Sequence, residues 1–133
     1  MTIAVIDGMG GGMGEEIVRA LRRELSPETV ILALGTNAVV TERMMKAKAN
    51  RGASGENAIR VSINLADIVI GPVGIVLPNA MMGEITSAIA EAVTGARGRK
   101  ILIPLSQNHV EIVGLAERPL AELISQAIAM IRG

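Results

Sequence analysis

The residues best placed to do chemistry begin at Ile3–Gly14, IAVIDGMGGGMG. Asp7 closes a run of β-forming residues. A loop with five glycines in the seven residues Gly8 to Gly14 follows it, and a helical pattern starts at Glu15. Strand, glycine loop and helix together aim bare backbone N–H groups and a helix N-terminus at a phosphate. Gly10, Gly11, Gly12 and Gly14 are the expected cradle, with Gly8 and Met13 completing the loop. Asp7 has the chemistry to hold Mg²⁺, orient a ribose or take a proton. The plainer alternative is an Asx-turn that satisfies the loop's own N–H groups. Glu56 offers a second carboxylate in Ser54-Gly55-Glu56-Asn57, where Ser54 can instead cap the following helix. His109 is the single histidine. It suits acid/base or ligand contact, or simply an exposed turn. Alone it cannot make a histidine-based metal site.

These groups need elements to hold them. Ile3–Asp7 is nearly continuous in apolar residues, which predicts a strand covered on both faces. Ile17, Leu21 and Leu25 recur at helical spacing and predict a helix over Glu15–Leu25. Thr29–Leu34 reads as a second buried strand, and Asn37 can cap a helix over Ala38–Ala49. Arg51–Ala58 is a polar, glycine-marked break. Ile59, Val61, Ile63 and Leu65 alternate as in a strand. Yet no turn signal separates them from the plain strand Asp67–Gly71, so Glu56–Asn64 reads better as a helix. An apolar loop, Pro72–Ala80, leads to a helix over Glu84–Thr94. Lys100–Leu105 is the next strand, Ser106–His109 a turn and Val110–Val113 a short, antiparallel edge strand. Pro119 opens a last helix at its first turn.

Strands alternating with helices predict an α/β fold: a three-layer sandwich with a mostly parallel, Rossmann-like or flavodoxin-like sheet, in one domain. In such sheets ligands sit outside the carboxyl ends of the strands. Those ends bring together Asp7 with the glycine loop, Gly35-Thr36-Asn37, Gly71-Pro72 with Gly74, and Ser106–His109. Ser54, Gly55, Glu56 and Asn57 join them if the polar break returns to that edge. The basic residues Arg97, Arg99, Lys100, Lys46, Lys48 and Arg51 fall at the opposite rim, where solvated charge is the simplest reading. Met81-Met82 and Val73–Leu77 suit an adaptable lid, or core and subunit interface.

Composition narrows the functions. The 133 residues carry 13 basic and 13 acidic side chains, so nothing electrostatic recommends nucleic acid or an anionic membrane as partner. The chain has no Phe, Trp, Tyr or Cys. That excludes aromatic stacking on bases, disulfides, thiolate nucleophiles and Cys-ligated metal. Half the residues are hydrophobic and the mean hydropathy is +0.45, so a homodimer or higher homo-oligomer is expected to bury some of that surface. No signal peptide or bilayer-length apolar run is apparent, which makes the cytoplasm the expected location.

Gly8, Gly12 and Gly14 fit G-x-x-x-G-x-G with Met13 in the aliphatic slot, which resembles the cofactor loop of the short-chain dehydrogenases. That family works through a Tyr-x-x-x-Lys pair, and no tyrosine exists here, so the chemistry does not carry over. The loop is no P-loop, because no Lys-Ser/Thr follows the glycines. A phosphorylation receiver needs an Asp at the end of its third strand, where Gly71 stands. Dinucleotide folds keep a ribose-binding acid at the end of the second strand. This chain has Leu34, Gly35, Thr36 and Asn37 there. Taken together, IAVIDGMGGGMG, LALGTNAVVT, GASGENAI, ADIVIGPVGI and GEIT resemble a family of small bacterial proteins of unknown function. The resemblance implies a stand-alone domain of nucleotide-fold type, with GENA and GPVG in one site with the glycine loop, and no particular activity.

The leading expectation is a protein that binds a nucleotide, a dinucleotide or another phosphate-bearing small molecule at the glycine loop, with Asp7, Asn37 and Glu56 setting specificity. The alternatives are a small enzyme using Asp7, Glu56 or His109 on a phosphorylated or carboxylated substrate, and a ligand-free oligomeric interaction module.

Overall fold

The computed structural model describes residues 1–105 and 110–133. The expected turn Ser106–His109, with its histidine, lies outside the described residues. Five strands, β1 (Thr2–Asp7), β2 (Val30–Gly35), β3 (Arg51–Ser54), β4 (Ile68–Pro72) and β5 (Arg99–Ile103), form one sheet in the order β3-β2-β1-β4-β5. Every pairing is parallel. Of the two doubly wound arrangements expected, this is the Rossmann order.

Side-chain alternation along each buried strand builds the three layers. Ile3, Val5, Ile31, Ala33, Ile68 and Ile70 point to one face. There they pack on α1 (Gly12–Glu24), α2 (Ala38–Lys46) and α5 (Leu120–Arg132). Ala4, Ile6, Leu32, Leu34 and Val69 point to the other. That face is covered by α3 (Glu56–Ser62), the 3-10 turns Ile63–Leu65 and Val73–Val76, and α4 (Ser87–Gly95). Ile, Val, Leu, Ala and Met44 fill both cores without an aromatic ring.

The helix preferred for Glu56–Asn64 is present, continued by its 3-10 turn. Five expectations need correcting. Helix α1 begins at Gly12 rather than Glu15, with the left-handed Gly11 at its cap, so Gly12, Met13 and Gly14 form its first turn. The polar break contains a strand, β3, which pairs with β2 from Leu32↔Arg51 to Gly35↔Ser54. It is a largely exposed edge strand, so only its backbone belongs to the sheet and no apolar pattern announces it. Helix α2 stops at Lys46 rather than Ala49. Lys48 turns left-handed (φ 87°), and the amides of Lys48 and Ala49 donate to the carbonyls of Met45 and Met44, a Schellman motif without its usual glycine. Helix α4 begins at Ser87, not Glu84, because Thr86 caps it by accepting from the Ile89 amide at 3.1 Å. Residues 111–113 form no strand, and Val110 makes only an isolated bridge.

Two glycines fix how closely the layers meet. A Cβ on Gly14 would stand 2.8 Å from the Met44 sulfur and 2.9 Å from the Asp7 Cβ, so α1 and β1 can touch only through glycine. A Cβ on Gly71 would collide with the Ile6 carbonyl oxygen. Gly71→Ala is therefore expected to cost about 1–3 kcal/mol. Gly95→Ala, at a position with nothing within 4 Å, should cost nothing. Urea denaturation of the two variants checks the contrast. Equal stabilities would contradict the packing described.

Candidate functional site

The glycine loop follows β1 at the centre of the sheet. The sheet order reverses direction between β1 and β4, and in doubly wound folds that is where the crevice opens. The backbone leaves β1 through Gly8, turns left-handed at Met9 (φ 56°) and Gly11 (φ 78°), and enters α1 at Gly12. Those amides of the bend that are shut off from water must find acceptors.

Asp7 supplies two of them. Its side chain is buried, with Oδ1 accepting from the Gly8 amide at 2.8 Å and Oδ2 from the Gly14 amide at 2.7 Å. This is the Asx-type bracing weighed from the sequence, and it engages both oxygens. Burial raises the Asp7 pKa above its ordinary value, against the pull of the two amides and of Arg43. The Gly11 amide turns inward to the Gly8 carbonyl.

Glu84 supplies the third acceptor. Its Oε1 takes the Met9 amide at 2.9 Å, the Asn37 side-chain amide at 3.0 Å and the Thr36 hydroxyl. The Thr36 bond above all, with the bonds from Met9 and Asn37, outweighs the opposing effect of burial and holds the carboxyl's pKa below its ordinary value. The chain delivers Glu84 through a strap that turns left-handed at Asn79, Met81, Met82 and Gly83. Left-handed backbone at Met is uncommon and costs about 1 kcal/mol or more per residue. The strap also sets Met81 against Gly8, where a Cβ would meet the Met81 sulfur at 2.6 Å.

The outer half of the loop is arranged differently. The amides of Gly10, Gly12 and Met13 make no hydrogen bond among the described residues. Gly10 is exposed, and Gly12 and Met13 are half-buried. Beside them lies the Arg43 guanidinium, which donates to the Gly10 carbonyl and to Glu15 Oε2 at 2.8 Å. It stands about 4 Å from where Cβ atoms on Gly10 and Gly12 would be. Arg43 and Arg19 also pair with Glu15, and the bond from Arg43 lowers that carboxyl's pKa. The charge of Glu15 in the first turn of α1 is thus balanced.

The remaining candidates divide. Thr36 and Asn37 reach the loop, and Asn37 caps α2 as expected by accepting from the Val40 amide at 3.0 Å. Ser54 does not cap α3. Its hydroxyl donates to Thr41 Oγ1 at 2.8 Å, and Gly55 (φ 97°) holds the cap position. Glu56 is exposed and accepts from the Thr86 hydroxyl, which ties GENA to the end of the strap. It shares no hydrogen-bond partner with Asp7, whose carboxylate neighbour is Glu84. Asn57 is exposed, whereas Gly71, Pro72 and Gly74 are buried. His109 lies outside the described residues. Among those described, no three His, Cys, Asp or Glu side chains gather as a metal site.

Sequence reasoning missed Glu84 and Arg43. Thr86, a good capping residue three positions before Ile89, was the available sign that Glu84 precedes the helix. Arg43 shares a face of α2 with Val40, which packs on Gly11.

Fold and loop together define a doubly wound α/β domain with a braced glycine loop at the sheet's reversal point. The chain belongs to the family described as Domain of unknown function (DUF3842), which matches residues 2–133. No curated protein matches it. Among solved structures it is similar to a dodecameric FMN-dependent UbiX-like decarboxylase from Escherichia coli O157:H7. That likeness has 16% identity and a TM-score of 0.49, and covers 99% of this chain and 76% of that one. No described helix is long and apolar enough to cross a membrane.

The two loop carboxyls should titrate on opposite sides of their ordinary values, Asp7 above 3.8 and Glu84 below 4.5. For Glu84 the stabilisation is complete above 4.5 and is lost as pH falls through its lower folded value. For Asp7 the preference runs the other way. The folded state is favoured most below 3.8, and that part is lost as pH rises through the raised folded value. Carboxyl-carbon NMR titration reads both, and the reverse ordering would refute the environments assigned.

Proposed function

We propose that this protein binds a small phosphate-bearing ligand, a nucleotide or dinucleotide, on the outer half of its glycine loop. The supporting observation is the set of uncommitted amides of Gly10, Gly12 and Met13 beside the Arg43 guanidinium. Free backbone N–H donors at a helix start, beside a planar cation, are suited to phosphate oxygens. Gly8, Gly11 and Gly14 shape the loop in this reading rather than touch the ligand. Asp7 braces it from inside. Thr36 and Asn37 face the ligand's specificity end, with Ser54, Gly55 and Asn57 further along the same sheet edge. A homo-oligomer is part of the proposal. Val110, Ile112, Val113 and Leu115 form an exposed apolar stretch after β5 that a second copy would cover.

A thermal-shift panel of inorganic phosphate, AMP, ATP, NAD, NADP, FAD and coenzyme A tests the binding. A ligand at a hundredfold excess over its dissociation constant stabilises by about 2.7 kcal/mol, so at least one member should raise the melting temperature by several degrees. Arg43→Met should weaken that ligand by about tenfold or more. A flat panel, or an Arg43→Met variant with undiminished response, counts against the reading. Sedimentation equilibrium should show a species larger than one chain, and a monomer at high concentration would remove the oligomer.

A further inference from the structure

Dinucleotide folds place an acid at the end of the second strand, where it accepts hydrogen bonds from a ribose. Here β2 ends in Gly35, followed by Thr36 and Asn37, and no acid stands there in the sequence. The fold fills the position from elsewhere. Glu84 arrives on the strap between β4 and α4, and its Oε1 is held by Thr36, Asn37 and the Met9 amide. The same oxygen lies 3.2 Å from where a Cβ on Gly8 would be. The carboxylate therefore sits against the first glycine of the loop, between the ends of β1 and β2. An acid 48 residues away from Thr36 in the chain thus takes the spatial place of the missing one.

We infer that Glu84 is the ribose-recognising residue of this site, and that the ligand is a nucleoside phosphate with an unmodified ribose. This rests on the phosphate reading above. Three donors pin Oε1 and fix the carboxylate's orientation. The other oxygen, Oε2, takes no hydrogen bond among the described residues. That oxygen accepts from the ribose 2′-hydroxyl when the phosphate lies on Gly10, Gly12 and Met13. Two features favour a diol over a second anion at this point. The carboxyl titrates below its ordinary value, so at neutral pH it is an acceptor only. The one nearby guanidinium described, Arg43, donates to Glu15 and Gly10 and makes no hydrogen bond to Glu84. A sugar hydroxyl can donate to such a group, whereas a 2′-phosphate is repelled by it.

The experiment is calorimetric titration of the full chain with ATP and 2′-deoxy-ATP, and with NAD and NADP. Wild-type protein should prefer ATP over 2′-deoxy-ATP by about 10- to 100-fold, the value of a hydrogen bond to a charged acceptor, and NAD over NADP by at least as much. Glu84→Gln and Thr36→Val should each bring the ATP to 2′-deoxy-ATP ratio toward one. The wild-type ratios need no variant, so a misfolded substitution does not end the test. Equal affinity for ATP and 2′-deoxy-ATP in the wild type overturns the role of Glu84 while leaving phosphate binding in place. Tighter binding of both nucleotides by Glu84→Gln also overturns it, and makes the carboxylate a plug. No binding of any of the four compounds overturns this inference, and the phosphate reading falls with it only if the thermal-shift panel, inorganic phosphate, FAD and coenzyme A included, is flat as well.

Discussion

The bend between β1 and α1 releases several backbone amides at once, in the middle of the sheet, where water reaches only one side. Unsatisfied, each buried amide would cost about 1–3 kcal/mol. Two carboxylates meet that demand. Asp7 takes the amides of Gly8 and Gly14 from inside, and Glu84 takes that of Met9 from outside. Everything distinctive about the site follows from how this satisfaction is divided. The inner half of the loop is closed by the protein's own groups. The outer half keeps its donors.

The division also separates two acids that look equivalent in the sequence. Asp7 is buried and its oxygens are both engaged, so its raised pKa describes the cost of bracing rather than readiness for proton transfer. Glu84 is half-buried, has one oxygen held and stays charged more readily than a free glutamate. A perturbed pKa in a cleft can mark a functional group or a structural one. The deciding feature here is which lone pairs remain. By that measure Glu84 keeps a whole oxygen without a hydrogen bond among the described residues, whereas both Asp7 oxygens are engaged and buried.

The layered fold was legible because its cues are local. Buried parallel strands read as apolar runs, Asn37 announces a helix start, and the absence of a turn before Asp67 correctly argued for a helix at Glu56. The short edge strand β3 was not legible. Its pairing is a backbone property and its side chains face solvent. The glycine loop and Asp7 were found because strand, turn and helix are contiguous there. Glu84 escaped because its partners, Met9, Thr36 and Asn37, are 75, 48 and 47 residues distant. No spacing rule reaches that far, and helical periodicity through Ile85, Ile89 and Val93 drew Glu84 into α4. Those isoleucines and the valine are indeed buried on one side. Ile85 simply enters the core from just ahead of the cap.

The position of the strap explains how a carboxylate from the β4 side reaches the ends of β1 and β2. At the reversal point the connections after β1 and β4 run to opposite faces of the sheet, so neither half closes the gap alone. A residue spanning it must leave β4, turn back over β1 and reach the end of β2. A right-handed chain running straight into α4 would carry Glu84 away from that point. The left-handed turns at Asn79, Met81 and Met82 reverse it within a few residues. Their conformational cost is offset by what the reversal achieves: three hydrogen bonds to one oxygen, a cap for α4 at Thr86 and a tie from Thr86 to Glu56. The strap therefore couples the glycine loop, the end of β2 and the start of α3 through a single short segment. Glu84 thereby ties the β4 side of the sheet to the ends of β1 and β2.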